Sequence, residues 1–316
     1  MLWFSYSVIC LLSWGFADIF YKKGNDADDK NAYLKTAVWV GLVMGAAAFF
    51  LMPFAETAMT PEQLWNNALR YSPASLSYIL SMIIGYAGLR YLEVSIVSPV
   101  QNASGALSML AMMGYFLASG KTMRFSDEFS VLDILGTVLI VAGVIRLAVV
   151  ENEMTEINLQ DCRYRSGIPA LLFPLGYCLF DTIGTAADGI ILDEETGLGL
   201  GEIDVIILYG LTFLIVGAVC WIMLYIRQKK PYNPFTRSEF PKLAAACLEE
   251  NGQIFYVYAM AARPLLAAPM IASYCIVSVL LSRLLLKEKL TSSQYRCVAA
   301  VLAGIVLLGI SAGLAA

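Results

Sequence analysis

Ten runs of apolar residues, parted by short polar breaks, constrain this chain more than any other feature of its sequence. They read as membrane-spanning helices over Leu2–Tyr21, Tyr33–Phe54, Ser75–Tyr91, Val94–Ala118, Val131–Val150, Ile168–Leu192, Val205–Ile226, Phe240–Ala262, Ala267–Leu286 and Gln294–Leu314. A helix needs about 20 mostly apolar residues to cross the hydrocarbon core. Hydrophobic residues make up 59% of the 316 and charged residues only 15%, against about a quarter in a soluble domain. One soluble core has no way to hide so much apolar surface, and the breaks leave no room for a separate soluble domain. Leu2–Tyr21 lacks a basic leader and an A-x-A cleavage site, and further spans follow it, so it is read as the first span rather than a cleaved signal. In the second break, Thr60 to Arg70 (TPEQLWNNALR) reads as a short interfacial helix, with Thr60 as its cap and Pro61 at its first position.

The polar stretch Glu151 to Ser166 (ENEMTEINLQDCRYRS) sits almost at the midpoint. It divides the chain into residues 1–150 and 167–316, five runs each, with 151–166 as a surface linker. Of the 21 Lys and Arg residues, 17 fall in the odd-numbered breaks and 4 in the even ones. The positive-inside rule then puts the odd breaks and the linker in the cytoplasm. Both termini lie outside in that reading, in a multi-pass protein of the plasma membrane (in a bacterium, the inner membrane). Five is an odd number, so the second half enters the membrane upside down. Equivalent breaks carry opposite charge bias, as an inverted repeat requires. Trp14 and Asp18 line up with Tyr177 and Asp181, Tyr86 with Tyr256, Pro99 with Pro269, and Gly136 and Gly143 with Cys297 and Gly304. The fold class expected is an all-α polytopic membrane protein, ten transmembrane helices in two inverted five-helix repeats.

Several chemistries are disfavoured. The chain has no histidine, which removes the commonest metal ligand and the usual proton switch near neutral pH. Proton chemistry therefore falls to carboxylates. The seven cysteines are scattered with no CxxC, so they read as packing residues, with no disulfide, metal site or cofactor expected. No basic patch with interleaved aromatics points to nucleic acid. The partners expected are the lipid bilayer and a small-molecule substrate, with the chain a monomer or homodimer. Gly41 and Gly45 are close-packing residues, internal rather than a dimer seam. Gly197, Gly199 and Gly201 follow no strand, so a nucleotide loop fails. The stretch from Asp188 to Asp204 has six acids and no base, and reads as a solvated outer loop.

What remains is polar residues at membrane depth. Glu249 and Glu250 lie near the middle of the eighth span, where a carboxylate facing lipid costs about 3 kcal/mol on insertion scales. They face a cavity as a substrate or proton site, or they mark a structural polar kink at Asn251–Gly252. Glu249, Gln253 and Tyr256 share one helix face, with Glu250 about 100° around. Asp181 is deep in the sixth span; Asp18 is nearer a membrane surface, where it either functions or reaches water beside Lys22. Gln101 and Asn102 follow Pro99, which frees a backbone carbonyl, and either line a cavity or bond between helices. Trp14, Tyr86, Tyr177, Tyr256 and Tyr274 are pocket walls or ordinary packing.

The chain resembles the drug/metabolite transporter superfamily, in particular its ten-helix EamA-type members. The resemblance rests on Trp14-Gly15, Ser98-Pro99, Ala268-Pro269, the run Leu286-Lys287-Glu288-Lys289-Leu290, and the glycine-bearing tenth span with Gly304 and Gly309. It implies a duplicated inverted fold with a central cavity that moves small metabolites by alternating access. Two features depart from it. Ser119-Gly120-Lys121 stands where the family has Gly-Glu, and the family is usually drawn with both termini cytoplasmic. Glu249-Glu250 matches no family motif. The function expected is a secondary transporter of a small polar or amphipathic metabolite, with carboxylates that bind an amino group or cycle a proton. The alternatives are an uncoupled facilitator or exchanger, or a receptor or scaffold that moves nothing. No nucleophile, base and metal set suggests an enzyme.

Overall fold

A computed structural model describes residues 2–25, 29–57, 60–89, 91, 94–119, 129–158, 172–193, 195, 197–286 and 290–315. The helices are α1 (Leu2–Gly24), α2 (Ala32–Leu51, ending in a 3-10 turn at Met52–Phe54), α3 (Pro61–Gly88), α4 (Val94–Asn102), α5 (Ser104–Ala118) and α6 (Val131–Asn158). They continue with α7 (Leu172–Ile191), α8 (Glu202–Gln228), α9 (Phe240–Ala262), α10 (Pro264–Ala272), α11 (Tyr274–Leu281, running into a π turn at Ser282–Leu286) and α12 (Ser292–Leu314). Among the described residues, six stretches are long and apolar enough to cross a membrane: Leu2–Gly24, Ala32–Phe54, Val131–Val150, Glu202–Gln228, Pro264–Leu286 and Ser292–Leu314. The helices that fall short, α3, α4–α5, α7 and α9, carry the buried Tyr78, Gln101, Asp181 and Glu249. Leu110, Val138, Ile215, Ile222 and Val306 point outward and are exposed, while acids and amides lie inside. That is the reverse of a soluble protein and suits lipid as the solvent.

Three elements differ from the sequence expectation. The interfacial helix and the third span are one helix, α3. Thr60 caps it, accepting from the Gln63 N–H at 3.4 Å, and Pro61 opens it. Pro73 lies inside α3 and cannot donate to the Leu69 carbonyl. The Ser72 hydroxyl donates to that carbonyl at 2.8 Å, so the helix continues. The linker begins as helix, since α6 runs on to Asn158 through good helix formers; positions 159–166 lie outside the described residues, as do Gly120, Lys121 and Lys287 to Lys289. α9 passes through Asn251–Gly252 unbroken, so there is no kink there.

The fourth and ninth spans each tighten once, at Ala103 and at Ser273. Each point lies one turn past the aligned proline, Pro99 or Pro269. At Ser273 the ladder changes to 3-10 spacing, with the Ser273 N–H bonded to the Met270 carbonyl at 3.1 Å.

The principal helix pairs are α2 with α8, α1 with α9, α3 with α7, α6 with α12, and α5 with α10. Two crossings depend on glycine. A Cβ on Gly41 would stand 2.6 Å from the Phe213 carbonyl oxygen and 2.9 Å from Gly217 Cα. A Cβ on Gly304 would stand 2.6 Å from the Gly136 carbonyl oxygen. Gly45 packs on Leu214, so Gly41 and Gly45 serve an internal seam with α8.

Candidate substrate cavity

The site is built from three helix stripes. On α1, Trp14, Asp18 and Tyr21 recur at i, i+4 and i+7 and so share a face. On α3, Tyr71, Tyr78 and Gly85 recur every seven residues, with Met82 and Tyr86 beside them. On α7, Tyr177, Asp181 and Asp188 stand at i, i+4 and i+11, which also places them on one face. Glu249 on α9 enters between the first two stripes and is 3% exposed.

Two phenols hold Glu249. The Tyr78 hydroxyl donates to Oε1 at 2.7 Å and the Tyr21 hydroxyl to Oε2 at 3.2 Å. The Tyr86 hydroxyl donates in turn to that of Tyr21 at 3.1 Å. The Trp14 indole N–H donates to the Glu249 carbonyl at 3.2 Å. Its ring lies where a Cβ at position 252 would be, so glycine is required there. These groups, with Asp18, Gln101, Tyr177 and Tyr274, line a cavity of about 20 Å³, roughly room for one water molecule. A carboxylate at this depth is expensive unless hydrogen-bonded or beside a cation, and the two phenols meet part of that demand.

The remaining expected residues divide. Asp18 does not reach for water beside Lys22. Its Oδ2 accepts from Ser98 at 2.7 Å and Ser278 at 2.6 Å, which ties α1 to α4 and α11. Asp181 is buried and accepts from Ser104 at 2.5 Å. Asn102 donates to the Ser98 carbonyl at 2.7 Å, and its side chain also bonds Tyr274 of α11. Gln101 lines the cavity, and its Nε2 has no partner. Glu250 and Gln253 lie away from the cavity lining. Glu250 Oε1 and both amide atoms of Gln253 are buried without partners. Tyr256 packs against Trp14 at 5.4 Å between ring centroids, behind the cavity wall.

Asp188 corrects the solvated-loop expectation. It belongs to α7, is 0% exposed, and accepts from the Tyr71 hydroxyl at 2.5 Å and the Tyr256 hydroxyl at 3.0 Å. At the other end of that stretch Asp204 is also 0% exposed, and accepts from the Glu56 and Thr57 N–H groups. Asp188 and Tyr256 both stand near the C-terminal ends of their helices, so α7 and α9 run parallel. Sequence reasoning passed over Tyr21, Tyr71, Tyr78 and Asp188. The seven-residue spacing of each to a group already marked, or to one another, was the available signal.

Cys10, Cys178, Cys220, Cys247 and Cys275 are free thiols, and among the described residues no group of three or more His, Cys, Asp or Glu could hold a metal ion. Helices with apolar outer faces around a polar, aromatic interior make this a multi-pass membrane protein. Residues 196–310 match the EamA-like transporter family, part of the drug/metabolite transporter superfamily, so the second half of the chain is similar to that family. One solved structure, described only as the crystal structure of a protein, is similar in fold at 13% identity and a TM-score of 0.61. The similarity covers 98% of this chain and 96% of that one. No curated protein matches.

Proposed function

We propose that the chain is a secondary transporter for a small metabolite bearing an ammonium group, held at Glu249 and walled by Trp14, Tyr78, Tyr177 and Tyr274. The observation that carries this reading is the cavity itself. A buried carboxylate inside a ring of aromatics favours a cation, through charge and through the faces of the rings. A proton competing with the substrate for Glu249 is the simplest route to coupling.

The architecture proposed is ten membrane-spanning segments, with α4–α5 and α10–α11 each counted as one, in two inverted repeats. The helix pairs support it. Exchanging each span with its counterpart five along turns α1–α9 into α7–α3, and returns α2–α8, α5–α10 and α6–α12 to themselves. A two-fold relation between halves demands that set. The aligned glycines agree: Gly136 meets Gly304, and Gly143 meets Cys297 and Val301. With the odd breaks cytoplasmic, the cavity at Tyr21, Tyr86 and Leu89 lies toward the cytoplasm, and Asp188 lies toward the outside. Alternating access would rock one bundle against the other about Glu249.

The test is thermal stabilisation of the purified chain by amines ranging from methylammonium to phenethylammonium. An amine at 100 times its dissociation constant stabilises by about 2.7 kcal/mol. The expectation is a rise in melting temperature in wild type and none in Glu249→Gln. Stabilisation by neutral or anionic compounds alone would overturn the cationic reading.

A further inference from the structure

Tyr78 and Tyr256 form a partition. On one side is the cavity, where Tyr78 bonds Glu249 and Tyr256 packs on Trp14. On the other side stand Asp188, Tyr71 and Tyr209. The Asp188 carboxylate has both oxygens engaged by neutral phenols, Tyr71 on Oδ1 and Tyr256 on Oδ2. Tyr209 is 1% exposed, yet its hydroxyl has no hydrogen-bond partner. The rings of Tyr71 and Tyr209 lie 5.9 Å apart, and those of Tyr78 and Tyr209 5.4 Å apart.

A buried hydroxyl left unbonded is costly, and this one packs on the phenol that bonds Asp188, where a charged donor could use it. We propose that Asp188, Tyr71 and Tyr209 form a second ammonium-binding station, across the Tyr78–Tyr256 partition from Glu249. The proposal rests on the reading of the substrate as a cation. The ammonium replaces the Tyr256 hydroxyl on Asp188 Oδ2, exchanging a neutral donor for a charged one, which bonds more strongly. Its second N–H is accepted by the Tyr209 hydroxyl, and the Tyr71 and Tyr209 rings supply their faces. Tyr71 keeps its bond to Oδ1. Releasing Tyr256 also loosens the wall behind Trp14, so arrival of a cation at this end opens the way to Glu249.

Isothermal titration of the purified full-length protein with phenethylammonium tests this. Wild type should bind two equivalents, and Asp188→Asn and Glu249→Gln one each. Tyr209→Phe gives up no hydrogen bond in the folded protein. It should keep the wild-type melting temperature, bind two equivalents, and hold the second roughly tenfold more weakly. One equivalent in wild type, lost in Glu249→Gln, would overturn the second station and leave the cavity reading intact. Two equivalents in Asp188→Asn, or unchanged affinities in Tyr209→Phe, would do the same. No binding of phenethylammonium to wild type would overturn both together.

Discussion

Glu249 and Glu250 are neighbours in sequence, yet about 100° of helix turn gives them different surroundings. Glu249 points between Tyr21 and Tyr78; Glu250 is 8% exposed with Oε1 unpartnered. Replacing a buried unpaired carboxylate by an apolar side chain of similar size removes its desolvation cost. Glu250→Met is therefore expected to stabilise the protein by about 1–3 kcal/mol and to leave amine binding intact. A fall in melting temperature would assign Glu250 a partner in the folded state. Gly252→Ala should do the opposite. Its methyl would overlap the Trp14 indole and break the indole bond to the Glu249 carbonyl, at about 1–3 kcal/mol for an overpacked site. That Glu249 and Glu250 lie at membrane depth was legible in the sequence. Which of them faces the cavity was not, because that depends on how α9 is rotated against α1. Asp188 was missed for a related reason. Asp193, Glu194 and Glu195 follow it after four apolar residues, and charge counting grouped it with them.

At the scale of elements, the apolar runs marked every helix, while their joints depended on local chemistry that hydropathy cannot see. Pro73 did not end α3, because Ser72 satisfies the carbonyl the proline leaves. The approach to α9 holds another such joint. Lys242 and Glu239 pair at 2.8 Å with side-chain exposures of 6% and 8%, and the Tyr232 hydroxyl donates to the same Glu239 oxygen at 2.8 Å. Burial pushes the Tyr232 phenol up, and the bond to Glu239 and its charge add to that. Lys242→Met would strand the Glu239 charge and should cost about 3–5 kcal/mol, as breaking a buried pair does. The double variant Glu239→Gln with Lys242→Met should recover much of this in thermal melts, and no recovery would show the two do not act as a pair. At the α2–α8 crossing, Gly217→Val should force the helices apart where Gly41 now touches Gly217. A fall in melting temperature is the expected outcome, and an unchanged one would show that the close approach is not needed.

For the whole molecule, the proposed duplication draws on paired features of the two halves, such as the helix breaks at Ala103 and Ser273. Orientation is a separate matter, on which the charge count and the family's usual arrangement disagree. A cysteine introduced at either terminus of a variant lacking the exposed Cys247 should react with an impermeant maleimide in intact cells. Labelling only after lysis would place both termini in the cytoplasm and reverse the sides assigned to the cavity and to Asp188. The central claim is that Glu249 holds a cationic substrate in a cavity that opens to each side in turn. It is tested most directly in proteoliposomes, by following labelled phenethylammonium in wild type and Glu249→Gln. Wild type should carry out both uptake against a gradient and counterflow exchange, and Glu249→Gln should lose both together. Counterflow at the wild-type rate in Glu249→Gln would contradict the account.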